Sequence, residues 1–571
     1  MNYDIKIIVF FIIVICVAVY IMIDNNKKAK IRMINKIKKS YGKRSSRKYS
    51  YDEFEMISHY YEDSIEDGII DTDDFIDDIT WNDLNMDAVF KDMNICNSSV
   101  GQEYLYRMLR VPCNDLNKLK ETDRLASYFD NNEKQRLDVQ KIFAELGFAK
   151  HISLSDYLGL IVDLKAGGNF IHYLSVILLA AALVFCLFIN PVIGIALVIG
   201  AVAFSVISYY RFKAGVESYF GCVTQLVKML RAAKAINDLK LEELKDYNED
   251  LTDICSQFSN ITKNSGLIVS GNVSGSFSEM ILEYVRMLTH ADLIKFNNMV
   301  KLLGKKQDVV FKLFDILGFI ESCICVASYR NVLPYYSKPE FVNTSVSNSN
   351  ARLTVKEAFH PLIEKPVANS INADKHVLLT GSNASGKSTF LKTIAINALL
   401  SQAIYTSVSK EYKASFFRIY SSMSLKDDLS SNNSYYIVEI KSLKRILDST
   451  EKKDSKPVLC FVDEVLRGTN TVERIAASSE ILKSLRYKNV LVFAATHDIE
   501  LTTLLEKYYD NYHFEEQVTD NDVKFNFKLF KGPATTRNAI KLLNVIGYDK
   551  EIIDNAERRA NYFIEHGVWN C

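Results

Sequence analysis

A glycine-rich turn between an apolar run and a helix start constrains this chain more than any other feature. Residues 380–389, Thr-Gly-Ser-Asn-Ala-Ser-Gly-Lys-Ser-Thr, fit G-x-x-x-x-G-K-[ST] from Gly381 to Ser388 and follow the apolar Val377-Leu378-Leu379. The pattern predicts a buried strand, a tight loop and a helix opening near Lys387, the α/β arrangement of a P-loop. Small residues let the backbone N–H groups from Gly381 through Ser382, Asn383, Ala384, Ser385 and Gly386 curl around the phosphates of ATP. Lys387 supplies a point charge to the β and γ groups, and Ser388 is placed to hold Mg²⁺. The helix that continues through Thr389 adds its N-terminal partial positive charge.

Two further apolar runs end in polar residues suited to the same chemistry. Val458–Val462 leads into Asp463-Glu464, as expected of a buried central strand that delivers two carboxylates to its C-terminal edge. Asp463 is the candidate second Mg²⁺ ligand beside Ser388. Glu464 is the candidate base that orients and deprotonates the attacking water, a role worth about 10² to 10⁴ in rate. Val490–Ala494 precedes Thr496-His497, and a histidine at that strand end can sense the γ-phosphate by hydrogen bonding. The predicted catalytic set is therefore Lys387, Glu464 and His497.

At 571 residues with 48% hydrophobic content, the chain has material for two to four domains with cores, which excludes a disordered protein. Lys+Arg and Asp+Glu balance at 69 each but are segregated: residues 27–48 are basic without an acid, and residues 52–92 are markedly acidic. Ten cysteines lack paired metal spacing, so they read as buried free thiols suited to a reducing cytosol.

Residues 5–23 are apolar and, as a helix, span about 28 Å, close to the thickness of a hydrocarbon core. Positive charge follows this stretch and no small-residue cleavage site precedes the basic run, so it reads as an uncleaved anchor rather than a signal peptide. A second apolar region, about 173–209, is broken at Asn190-Pro191 and predicts two spans joined by a very tight turn. Lys165 before it and Arg211 and Lys213 after it place both ends in the cytoplasm. The competing reading is a helical hairpin buried in a soluble core. The expectation is three transmembrane helices, with membrane lipid as a partner and nearly all other mass cytoplasmic. The basic run fits anionic headgroups or DNA phosphates, and its place beside an anchor favours lipid.

The predicted organisation is an anchor over 1–24, a basic then acidic linker over 25–75, a mainly α-helical region over 76–345 interrupted by the hairpin, and an α/β domain over 346–571. Helical spacing of apolar residues in 82–147, 212–260 and 276–330 supports the helical middle, and Pro, Ser and Asn around 334–350 mark the boundary.

Taken in order, Thr380–Thr389, Ser424–Ser434 with Asp427-Asp428-Leu429, Asp463–Thr471 with Arg467-Gly468-Thr469, and Ala495–Asp498 resemble the ATPase domain of MutS-type mismatch-repair proteins. The likeness extends to His360-Pro361, to Lys531–Ala534 and the helix near Lys550–Arg559, and more loosely to Asn94–Pro112 and Lys338–Phe341. The resemblance implies an ABC/MutS-like ATPase head whose homodimer completes each site with the loop around Ser430–Ser434. The trans-site candidates are then Asp427, Asp428, Ser431, Ser434, Arg467 and Thr469, and Asn383 would contact phosphate or the catalytic water. It further implies lever helices moved by ATP and, as the family default, DNA binding in mismatch repair.

Departures bear on these expectations. Asn432-Asn433 stands where the family often has Gly-Arg, and Leu466 where it usually has glycine, which bears on the trans contact and the hydrolysis rate. No mismatch-recognition domain is expected: the Phe-x-Glu tripeptides at 143–145 and 277–279 lie in helical segments of the wrong domain. Two other functions compete. An ABC-type transporter ATPase is disfavoured because no Leu-Ser-Gly-Gly-Gln precedes Asp463, and a nucleotide-gated membrane scaffold with little turnover is favoured if Leu466 and Asn432-Asn433 weaken the site.

Overall fold

The computed structural model describes residues 27–66, 68, 75–149, 153–156, 159, 167–259, 277–303, 306–342, 351–382, 385–423, 435–451, 456–467, 469–486, 489–518, 523–534 and 539–569, with isolated residues before 26. The chain divides into two units: Met1–Asp67 with Met93–Arg107 and Arg124–Tyr329, and Gly68–Asp92 with Met108–Asp123 and Arg330–Cys571. The segment expected as the first anchor lies outside the described residues except at isolated positions.

The first unit is helical in its described part. Its elements include α1 (Tyr51–Glu66), α2 (Ser99–Arg110), α3 (Phe170–Phe188), α4 (Pro191–Asp238), α5 (Lys245–Gln257), α6 (Ala291–Leu303) and α7 (Gln307–Val332). The expected linker needs correction, because α1 is a packed helix. Ile57, Tyr60 and Tyr61 recur at helical spacing and are buried, Tyr60 lies 4.2 Å from Phe314 between ring centroids, and its hydroxyl donates to Asp315 at 2.5 Å. Sequence reading saw the acids of this stretch, which occupy the opposite face, and missed the buried stripe.

Asn190-Pro191 makes the turn between α3 and α4 by capping: the Asn190 side chain accepts from Val192 N and Ile193 N, and Pro191 opens the helix. The two helices then approach so closely that a Cβ on Gly194 would fall 2.2 Å from Cys186 Cα. Phe170–Phe188 and Pro191–Val216 are each long and apolar enough to cross a membrane by length and composition. Their outer side chains are exposed, as at Leu187, Phe188 and Val192. At the hairpin's root, the ring nitrogens of His172 and His290 are 2.9 Å apart, and Tyr209 Oη donates to Asp292 at 2.8 Å. Beyond Cys222, α4 enters the unit's core with Leu226, Val227, Leu230 and Ile236, packed with Phe314, Leu317 and Ile320 of α7. One continuous helix thus changes from an exposed apolar surface to a buried one.

The second unit is mixed α/β. Its four-stranded sheet has the order β1-β5-β2-β3, from β1 (Glu340–Phe341), β2 (Leu353–Ala358), β3 (Asn369–Ala373) and β5 (Glu411–Ala414). The six-stranded sheet has the order β10-β9-β4-β8-β7-β6, from β4 (His376–Thr380), β6 (Arg418–Ser422), β7 (Val458–Asp463), β8 (Val490–Ala495), β9 (Tyr509–Val518) and β10 (Val523–Lys531). All its pairings are parallel except β9 with β10. Strands β4, β7 and β8 are buried at every position, which is why their sequences are unbroken apolar runs. Helix α8 (Lys387–Ile404) follows β4 and is buried almost throughout.

Residues 76–92, read from the sequence with the helical middle, belong to this second unit. The short helix Asp78–Asp83 covers the edge of β6: Ser421 N donates to Thr80 Oγ1 at 3.0 Å, and the Asp83 carboxylate accepts from Ser421 Oγ at 2.7 Å and Met423 N at 2.8 Å. Polar groups along an exposed strand edge are thereby satisfied.

Candidate functional site

Three strands end together. In the pairing register, Leu379 of β4 and Asp463 of β7 both face Ala495 of β8, so the residues beyond these ends converge on the carboxyl edge, where open parallel sheets bind ligands. The turn after β4 needs glycine twice. Gly381 has φ +139° and a Cβ there would meet Phe514 O at 2.8 Å, while Gly386 has φ +110° at the start of α8.

Lys387 is buried, and its ammonium arches back over the turn to donate to Gly381 O and Ser382 O, each at 2.8 Å. Burial lowers its pKa, opposed by the nearby Asp463 and Glu464 carboxylates. Ser388 Oγ donates to Asp463 Oδ2. Asp463 Oδ1 and Ser385 Oγ are buried and have no hydrogen-bond partner among the described residues. Burial raises the Asp463 pKa, against the Ser388 hydrogen bond. An unpartnered carboxylate oxygen beside a serine hydroxyl is a fitting oxygen pair for a hard divalent cation.

Glu464 is held from two sides. Its Oε1 lies 2.8 Å from His497 Nε2 and its Oε2 lies 2.9 Å from Arg467 Nε, while Arg467 also donates to Asp463 O at 3.0 Å. The hydrogen bond with His497 is the main reason the Glu464 pKa is lowered. His497 Nε2 is also 3.4 Å from Lys387 Nζ, so His497 touches both Lys387 and Glu464. Asp498 anchors this corner by a bidentate pair with Arg474 at 2.9 and 2.6 Å.

Of the residues singled out from the sequence, Gly381, Ser382, Ser385, Gly386, Lys387, Ser388, Asp463, Glu464, Arg467 and His497 belong to this one cluster. Thr389 faces a cavity next to it. The next helices in chain order are α9 (Tyr435–Thr450) and α10 (Thr471–Ser484), and at the start of α10 Thr469 Oγ1 instead donates to Glu473 at 3.1 Å. Asn383, Ala384, Asp427, Asp428, Ser431 and Ser434 lie outside the described residues.

Sequence reading missed several neighbours. Ser382 Oγ donates to Glu516 Oε2 of β9 at 2.8 Å. A cavity of about 290 Å³ opens beside Gly386 and Thr389 and is lined by Ala358, His360, Phe514 and Phe527 among others. Burial pushes the His360 pKa down to about 4, so this imidazole is neutral at pH 7. These lining residues come from segments far apart in sequence, and only the His360-Pro361 pair carried any signal.

The fold and the site together define a chain in which a helical region is joined to a mixed α/β domain with a phosphate-loop-like turn at its sheet edge. Residues 377–563 match the family model of MutS domain V. The chain is similar to the DNA mismatch repair protein MutS of Thermotoga petrophila, at 29% identity over 46% of this chain and 33% of that protein. It is also similar to MutS protein homolog 4 of Mus musculus, at 31% identity over 50% of this chain and 32% of that protein. The human MutS protein homolog 4 aligns at 27% identity over 59% of this chain and 41% of that protein. The chain therefore spans about a third to two fifths of the length of these relatives.

Proposed function

We propose that this chain is a membrane-held MutS-type ATPase that binds and hydrolyses ATP at the carboxyl edge of the six-stranded sheet. The observation that carries this reading is the convergence of Lys387, Ser388, Asp463, Glu464 and His497 from three separate strand ends. The triphosphate lies over the turn 381–388, with the Lys387 ammonium on the β and γ oxygens. The adenine enters the cavity beside Gly386, where Phe527 and His360 supply apolar and aromatic walls.

Ser388 and Asp463 would hold Mg²⁺, which would supply positive charge to neutralise the charge that develops during phosphoryl transfer. Glu464 takes the proton of the attacking water, and His497 and Arg467 fix the carboxylate's direction. His497, in reach of both Glu464 and Lys387, reports whether a γ-phosphate is present. The site is completed in a homodimer by the segment containing Asp427, Asp428, Ser431 and Ser434, with Arg467 and Thr469 on the receiving side. Hydrolysis in the purified full chain, and its loss in the two variants argued in the Discussion, tests this reading.

The exposed apolar surfaces of α3 and of the first half of α4 support a membrane location, since a soluble core hairpin would bury Phe188 and Val192. The expected result is a chain retained in the membrane fraction through high-salt and alkaline carbonate washes and released by detergent. Recovery in the carbonate supernatant would show that the hairpin is not inserted.

The output of the ATPase is read as DNA handling, supported by relatives named DNA mismatch repair protein. Detergent-solubilised protein is then expected to bind homoduplex, mismatched or branched DNA most strongly at low salt, with affinity falling as salt rises. Undetectable binding to all three at low salt would remove this output, because even nonspecific affinity is greatest there.

A further inference from the structure

The turn after β7 leaves ordinary backbone geometry twice in three residues. Glu464 and Leu466 both have φ +59°, a left-handed conformation that neither side chain favours. Such a turn persists only where its surroundings hold it. On one side Glu464 N donates to Ala495 O at 2.9 Å, and Ser478 Oγ donates to Val465 O at 3.2 Å. On the other side stands Glu439 of α9, whose Oε1 accepts from Leu466 N at 2.6 Å and from Arg467 N at 3.4 Å.

Glu439 is an expensive residue for a purely structural post. It is 4% exposed, and its Oε2 has no hydrogen-bond partner among the described residues. Burial raises its pKa, with the two backbone N–H groups opposing. A buried carboxyl that spends one oxygen on two consecutive N–H groups of a strained turn controls where that turn lies. The turn in turn carries Glu464 and Arg467, which bond each other. Glu439 is also the fifth residue of α9, which begins at Tyr435 directly after Ser434, so the segment assigned to the partner's site leads into the helix that holds this turn.

We infer that Glu439 is a positioning residue for ATP hydrolysis, setting Glu464 and Arg467 through the 464–467 turn and linking that setting to the helix after the 427–434 segment. The inference rests on the ATPase reading above. The geometry needs an acceptor at Oε1 and makes no demand for a negative charge. Glu439→Gln keeps an amide oxygen at this position, Glu439→Ala removes the acceptor, and Glu439→Asp withdraws it by one methylene.

The test is steady-state ATP hydrolysis by the full chain in detergent, for wild type, Lys387→Ala and the three Glu439 variants, with the melting temperature of each measured alongside. Loss of a near-attack geometry of this kind costs on the order of 10²-fold. Glu439→Ala is expected to lower kcat about 10- to 100-fold with KM for ATP within about twofold of wild type, and Glu439→Gln to stay within about threefold in kcat. Should Glu439→Ala not fold, Glu439→Asp against Glu439→Gln makes the same comparison. Wild-type kcat in Glu439→Ala, a KM that rises as kcat falls, or Glu439→Gln as impaired as Glu439→Ala would each overturn the inference while Lys387-dependent turnover keeps the ATPase reading. Absence of Lys387-dependent turnover in wild type overturns that reading and the inference with it.

Discussion

Glu464→Gln is expected to slow ATP turnover by about 10² to 10⁴ while leaving ATP binding close to wild type, the cost of removing a general base. Glutamine preserves the size of the side chain and can still meet His497 or Arg467 with one atom, but it cannot accept a proton from water. The two contacts explain why the wild-type residue is ready for that role. With His497 Nε2 at 2.8 Å and Arg467 Nε at 2.9 Å, the carboxylate is aimed from both oxygens, and its pKa is lowered, so it stays ionised as pH falls from 8 to 6. Nucleotide binding measured beside phosphate release separates this outcome from misfolding, which would remove both.

Lys387→Ala is expected to remove both properties. The ammonium is buried within the turn it arches over, bonded to Gly381 O and Ser382 O and within 3.4 Å of His497. In a water-poor site such a charge is worth far more to phosphate oxygens than it is in bulk solvent. Losing it should lower kcat/KM by about 10² to 10³, the scale seen when one preorganised donor to developing charge is removed. Titration with a fluorescent ATP analogue distinguishes the variants: Glu464→Gln retains binding, and Lys387→Ala loses most of it. Binding as tight as wild type in Lys387→Ala would mean that the triphosphate lies elsewhere.

The parts of the molecule legible in the sequence are those where local pattern and global position coincide. Strands β4, β7 and β8 are buried on both faces, so their runs are apolar without interruption, and the polar residues that end each run mark the sheet's carboxyl edge. The hairpin α3–α4 declared itself in the same way, with its turn fixed by Asn190-Pro191.

Other features were hidden because their signal is not local. Strand β9, Tyr-Asp-Asn-Tyr-His-Phe-Glu-Glu-Gln-Val, is too polar to read as a core strand, yet its first half, Tyr509–His513, pairs with β4 and its second half brings Glu516 to Ser382. Glu439 looks like an ordinary acid on an amphipathic helix until the fold sets it beneath Leu466. Leu466 itself stands where glycine is usual in the family, and the backbone still takes the left-handed path that glycine would take. The Leu466 side chain is buried in the core that also holds Val458, Cys460 and Val462 of β7.

Phosphate release from ATP by the purified full-length chain, compared at equal protein concentration with Glu464→Gln and Lys387→Ala, tests the central claim most directly. The account predicts turnover in the wild-type chain that is lost in both variants, with nucleotide still bound by Glu464→Gln. Equal phosphate release from all three proteins would contradict it.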